Sequence, residues 1–220
     1  MDAIETVSVT EGSSGTSLGV LKFGGDGKLN CLQRTAYGYN RWSQSAMRQW
    51  LNSDKGVGEW WTPQNDYDRC PDQLATKAGF LTGFDADFLE ILRPTKVVTA
   101  LNTVTDSTSS NSVEPLETTY DKIYLPALEQ MSIEPELTGE GSTWDYWKRA
   151  SNMTTKMKKW QTYPQIRTFA IENHTSPQYV RLRSAYRGAS CDTWCVYSSG
   201  YVGNFVAVGA LRCAPACDFC

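Results

Sequence analysis

Residues 184–216 read SAYRGASCDTWCVYSSGYVGNFVAVGALRCAPA, and no apolar period of 3.6 or of 2 runs through them. A segment of this composition is rich in strands and loops. Pieces that look fixed (residues 181–184, Trp194, 198–200 and 210–216) alternate with positions that share neither polarity nor size. These positions are Tyr186, Gly188, Ala189, Cys191, Asp192, Cys195, Tyr197, Gly203, Asn204, Phe205, Val206, Val208 and Gly209. One property unites them: a codon ending in C can encode each. Lys, Glu, Gln, Met and Trp cannot be so encoded. Those five types make up 43 of the 220 residues, yet between 186 and 209 only Trp194 belongs to them. A constant frame carrying side chains of one codon class points to ligand recognition rather than catalysis. A β-rich segment is also poor in Lys, Glu, Gln and Met for ordinary reasons, so composition alone leaves both explanations open.

The length suits one domain, or one domain with an appendage, and such a chain needs no metal or disulfide to fold. A net charge of −3 and the lack of a Lys/Arg stripe give no electrostatic case for nucleic acid. No run approaches the roughly 20 apolar residues that a membrane span requires. The start, MDAIETVSVTEGSSG, lacks the basic and apolar regions of a signal peptide. Residues 1–30 read as a polar leader or the end of an upstream region. Seven cysteines, an odd number, exclude a complete disulfide framework. The spacing of Cys191, Cys195, Cys213, Cys217 and Cys220 does not match a compact zinc module. Buried free thiols are expected for Cys213 and Cys31.

Along the chain, 20–23 can form an edge strand. Residues 43–51, SQSAMRQWL, read as a helix capped by Ser43, with Ala46, Met47, Trp50 and Leu51 on its apolar face. Residues 59–69 form an aromatic, turn-rich loop. Residues 85–92 form a second short helix capped by Asp85, burying Phe88, Leu89 and Leu92 and stopped by Pro94. Strands are expected at 95–101, 121–125, 179–183, 194–197 and 211–216, with a helical turn at 126–131. Trp144, Tyr146, Trp147 and Trp160 lie in a stretch bounded by Gly and Pro. Short helices followed by short strands and long loops give an α+β fold.

Residues 39–53, YNRWSQSAMRQWLNS, with 79–88, GFLTGFDADF, and 121–125, DKIYL, resemble a widespread domain family of gut bacteria and their phages. The late block Arg183–Ser184–Ala185, Trp194, Ser199–Gly200 and residues 212–216 follows that family's order. The C-terminal block also resembles the variable region of target proteins of diversity-generating retroelements. The resemblance implies a C-type-lectin-like fold, related to the formylglycine-generating-enzyme domain, with short helices, small antiparallel sheets and long loops. It implies a ligand-binding domain over 31–220, with an insertion at about 103–165 and a variable region at about 184–210. Adenines in a template are randomised in such systems, so the thirteen positions named above become the ligand-binding set. The partner implied is a protein or glycan receptor on a cell surface, met by a protein on a virion or cell surface that can form a homo-oligomer.

For catalysis the choices are few. His174, the only histidine, sits among turn residues and reads as a surface loop residue. Cys191 and Cys195 could mimic the paired thiols of a thiol oxidase, but both occupy diversified-looking positions. The stretch 24–27, GGDG, lacks the context of a phosphate loop, and Asn65, Asp66 and Asp68 suit a turn better than a calcium site. No catalytic residue, metal or cofactor is assigned. An enzyme on the same fold, thiol-oxidising or carbohydrate-active, and a purely structural virion module are the alternatives. The frame residues Arg183, Ser184, Trp194, Gly200, Arg212, Ala214 and Pro215 are expected to be buried or in turns. The displayed positions are expected on one exposed face.

Overall fold

The computed structural model describes residues 40–64, 70–102, 115–151, 155–169, 176–189 and 191–219. The expected strand at 20–23, Cys31, Cys220, His174, the 24–27 stretch and Asn65, Asp66 and Asp68 lie outside these residues. Among the described residues, four short helices and three small sheets make an α+β fold.

Helix α1 (Ala46–Leu51) buries Ala46, Met47, Trp50 and Leu51, the face expected from their spacing. Its cap is Ser45 rather than Ser43, and the Ser45 hydroxyl accepts the Arg48 N–H at 3.1 Å. Ser43 is already committed, because its N–H and hydroxyl donate to the two Glu117 carboxylate oxygens at 2.9 and 2.7 Å. Helix α2 (Asp72–Ala75) buries Leu74. Helix α3 (Ala86–Ile91) begins after Asp85, whose side chain makes no capping bond. Leu92 is buried, while Phe88 and Leu89 are half-buried.

Strand β1 (Thr95–Ala100) pairs antiparallel with β2 (Leu116–Asp121). The strand expected at 121–125 therefore ends where it was expected to begin. Asn52 Oδ1 accepts the N–H groups of Lys122 and Ile123 at 2.7 and 3.1 Å, which bends the chain. Tyr124 then pairs with Ala216. Buried Asp121 joins β2 to α1: its carboxylate accepts from Trp42 Nε1 at 2.9 Å, Thr119 Oγ1 at 2.6 Å and Arg48 Nε at 2.6 Å.

After helix α4 (Asp145–Ser151) come the short pair β3 (Thr168–Phe169) and β4 (Pro177–Gln178). The main sheet contains β5 (Val180–Ala185), β6 (Asp192–Val196), β7 (Val202–Val206) and β8 (Arg212–Cys213). Their order is β7-β6-β5-β8. The sheet is not wholly antiparallel, because β8 runs parallel to β5. Strand β7 occupies a stretch that was expected to display side chains without forming a strand. Period-two alternation hides it, since Gly203 interrupts the apolar pattern.

Two apolar clusters fill the interior. One gathers Trp42, Met47, Leu51, Trp60, Leu74, Ile123, Leu125 and Cys213. The other gathers Leu128, Met131, Ile133, Met157, Leu182, Trp194, Val196 and Val202. Ile123, Leu125, Leu128, Met131, Ile133 and Met157 fall inside the expected insertion of 103–165. The described parts of that stretch, 115–151 and 155–165, contribute to the core.

All six residues of β5 are buried, two arginines included. A guanidinium out of water must place its N–H groups on acceptors. Arg183 donates to the carbonyls of Leu125, Val98 and Glu140 at 2.7, 3.0 and 2.6 Å, and to Gln130 Oε1 at 2.5 Å. Arg181 donates to Thr193 Oγ1 and to the carbonyls of Val206 and Gly209. Arg183, Ser184, Trp194 and Gly200 are buried as expected of a frame, whereas Arg212, Ala214 and Pro215 are half-buried. Removing the Arg183 side chain takes a donor from three carbonyls and leaves buried Glu140 without its nearby positive charge, so Arg183→Ala is expected to cost about 3–5 kcal/mol, read as a lowered urea midpoint. Arg183→Lys, a point charge in place of a planar fork, is expected to recover only a minor part of it.

Candidate functional site

The hairpin β6–β7 turns at Gly200, whose φ is +85°. A Cβ there would collide with the Tyr163 carbonyl, so only glycine fits both the backbone and the neighbour. Alternation along β6 sends Trp194 and Val196 to one side and Thr193, Cys195 and Tyr197 to the other. The free edge of β7 is covered by residues 160–163. Trp160 N–H donates to the Val202 carbonyl at 2.8 Å, Val202 N–H to the Gln161 carbonyl at 2.9 Å, and Tyr163 N–H to the Gly200 carbonyl at 2.9 Å.

Trp160 pairs in this way with φ at +62°, a region that bulky side chains avoid. The residue is 48% exposed. It lies 4.9 Å from Trp194, 6.2 Å from Tyr186 and 6.5 Å from Tyr201 between ring centres. Tyr201 lies 5.4 Å from Tyr197, and Tyr197 lies 4.7 Å from Tyr179. Six rings therefore form one connected strip around the outer edge of the hairpin. Trp194 is its buried floor, and Trp160 and Tyr179 are its most open members. Sequence reasoning missed Trp160, Tyr179 and Tyr201 as site residues, because all three lie at positions outside the diversified-looking set.

Of the thirteen expected binding positions, ten reach solvent in part or in full: Tyr186, Gly188, Ala189, Asp192, Tyr197, Asn204, Phe205, Val206, Val208 and Gly209. Cys191, Cys195 and Gly203 are buried. Cys195 pairs with Arg181 on one side and Gly203 on the other, at the centre of the sheet. Cys191 lies under the turn after β7, where its carbonyl accepts the Ala207 N–H at 2.7 Å. Nor do the open positions share one face. Asp192, Asn204 and Val206 lie on the Trp194 side, while Tyr197 and Phe205 lie on the Cys195 side, so the set wraps an edge.

Three of the glycines act as floors for rings. A Cβ on Gly203 would stand 2.9 Å from the rings of both Tyr197 and Tyr201. One on Gly188 would stand 3.0 Å from Tyr186, and one on Gly209 would collide with Phe205. Large side chains thus lie down where small ones make room.

The loop that carries Tyr186 is held from below. Asn40 Nδ2 donates to the carbonyls of Tyr186, Ala189 and Asp192 at 3.2, 2.8 and 2.6 Å. Glu136 Oε2 accepts from Arg187 N–H at 2.7 Å and from Trp194 Nε1 at 3.2 Å. Beside it, Asp192 Oδ2 accepts from Asn204 Nδ2 at 2.9 Å, and burial raises the Asp192 carboxyl above its ordinary value. Burial pushes the Cys195 thiol up to about 12, so it stays protonated and unreactive. Among the described residues, no group of three or more His, Cys, Asp or Glu is placed to hold a metal ion.

A second concavity, about 270 Å³, lies across the sheet and is lined by Val98, Tyr124, Gln130, Glu140, Trp144 and Arg183, among others. Its polar groups serve one another. Tyr124 donates to Asp218 at 3.2 Å, and Glu140 accepts from Ala100 N–H at 3.0 Å and Ser184 Oγ at 2.7 Å.

Residues 28–218 match a family model described as Domain of unknown function (DUF6273). The chain belongs to the DUF6273 family. No curated protein and no solved structure matches it. The match takes in both the arginine frame and the aromatic strip of this DUF6273 domain.

Burial raises the Glu140 carboxyl, and the nearby Arg183 charge offsets only part of that rise. The folded chain therefore holds this proton more tightly than the unfolded chain. The stability so contributed is fully present below the ordinary value of 4.5 and is lost as pH rises through the folded value. Glu140→Gln keeps an acceptor but cannot ionise, so its urea midpoint is expected to fall less than the wild type's as pH is raised from 4.5.

Proposed function

We propose that this DUF6273 domain is a ligand-binding protein that presents a diversified surface on the β6–β7 hairpin. The observation that carries this is the strip of six connected rings, three on that hairpin and three packed beside it, held by bonds from Asn40, Glu136 and the buried arginines. Aromatic side chains give large contact area at small entropic cost, and Ser, Gly and Asn adapt around them, as in antibody paratopes. A surface fixed from below loses little freedom on binding. The coarse α+β arrangement and the edge hairpin are compatible with a C-type-lectin-like fold diversified by a retroelement. The partner is a receptor on a cell surface, met by a virion or by another cell. No helix among the described residues is long and apolar enough to cross a membrane.

A thiol-oxidising enzyme would need a reactive thiolate. The protonated state of Cys195 disfavours it.

Sequencing the DNA beside the coding region tests the diversification. A near-identical copy of the segment encoding 184–210, differing only at adenines and lying beside a reverse transcriptase, is the expected result. A locus without such a repeat, in isolates that share the segment unchanged, would overturn it.

A further inference from the structure

Around Trp194 three features meet on one side of the sheet. Trp160 and Tyr186 cover its ring, and Asn204 stands directly opposite it in the strand pairing. Asn204 in turn holds Asp192 through the 2.9 Å bond between their side chains. Asp192 also accepts from Cys191 Sγ at 3.6 Å. A carboxylate has about four acceptor sites and a primary amide two donors and an acceptor, so the pair keeps both acceptors and a donor for another molecule.

Trp160 is the second observation. A tryptophan at φ +62°, half out of the protein, stores backbone strain without being fully buried. Strain of that kind costs about 1–3 kcal/mol and gathers at binding sites. It holds the indole against Trp194 with part of its surface free. The backbone bonds of 160 and 161 to Val202 fix its height beside β7.

We propose, resting on the ligand-binding reading above, that the ligand is a neutral carbohydrate: one sugar ring stacks on Trp160 and its hydroxyls bond the Asp192–Asn204 pair. A pyranose has a face of C–H groups, edged by hydroxyls that both donate and accept. The C–H face carries slight positive charge and suits the negative face of an indole. Adjacent hydroxyls match a carboxylate and an amide held side by side. An acidic sugar would bring a second anion against half-buried Asp192. Lys159 brings one positive charge, its Nζ 5.8 Å from the Trp194 ring, but Glu136 beside the same ring brings a second carboxylate. A protein partner of ordinary size covers about 800 Å² per side, and here only Trp160, Tyr179 and Phe205 among the nearby rings are well exposed.

The test uses the full chain on an array of immobilised neutral glycans, acidic glycans and cell-surface proteins. The tightest neutral glycan is then titrated by calorimetry. Saturable binding to a neutral glycan is expected, weakened at least about tenfold by Asp192→Ala and equally by Trp160→Ala. Trp160→Tyr, which keeps a stacking ring, is expected to stay within about threefold of wild type, a difference of less than 1 kcal/mol. Trp160→Gly relieves the positive φ, so it separates loss of the ring from loss of the fold. A Trp160→Gly chain that keeps its thermal transition and binds the glycan as wild type does would overturn the proposal. So would an array on which only acidic glycans or proteins bind, an outcome that leaves the broader ligand-binding reading standing. Silence on all three classes would sink both.

Discussion

Two guanidinium groups buried in one strand hold this structure together. Arg183 gathers carbonyls from β1, from the segment after β2 and from the loop at Glu140, none of which are neighbours in sequence. Arg181 gathers the turn that follows β7. Gln130 Oε1 and the Val206 carbonyl have a second donor each, in Ala127 N–H and Gly209 N–H, and a buried carbonyl left with no donor costs about 1–3 kcal/mol. The long loops of the domain therefore need little regular structure of their own. They are fixed at single points by charge-assisted bonds to β5, and the β6–β7 hairpin inherits that rigidity by pairing with β5.

From this follows the character of the proposed binding surface. Its rings lie against glycine floors rather than standing free, so each position depends on its neighbour. Phe205 can lie flat because residue 209 has no Cβ. Diversity of side chains in such a place is diversity of shape as well as of chemistry, because exchanging a floor glycine lifts the ring above it.

Much of the frame was legible in the sequence because it is written in residue types with few alternative uses. Trp194 as core anchor, Gly200 as turn, Arg183 as a buried donor, the apolar face of α1 and the α+β class all follow from local rules. What could not be read depends on pairing across the chain. Ser43 looks like a cap until Glu117, far away in sequence, takes its hydroxyl. Strand β7 carries a glycine where alternation calls for a large residue. Cys195 looks displayed because its neighbours vary, yet it sits between Arg181 and Gly203 in the middle of the sheet. Trp160 carried one signal, a large aromatic in a stretch bounded by Gly and Pro. Only its edge pairing with β7 brings it to the hairpin.

The proposed sugar site thus joins two kinds of residue. Trp160 and Trp194 lie outside the thirteen diversified-looking positions, while Asp192 and Asn204 lie within them. A stacking ring recognises any sugar face with little discrimination, because the contact depends on C–H groups that most pyranoses share. Discrimination must then come from hydroxyl geometry, which a carboxylate and an amide read through directed bonds. A surface built so can change its preference by exchanging two polar side chains and leave its grip intact. The strain at Trp160 is consistent with that proposed division: a backbone forced into the left-handed region is an expensive way to place a ring, and on the proposed diversified surface it is worth holding because the same ring would serve every version.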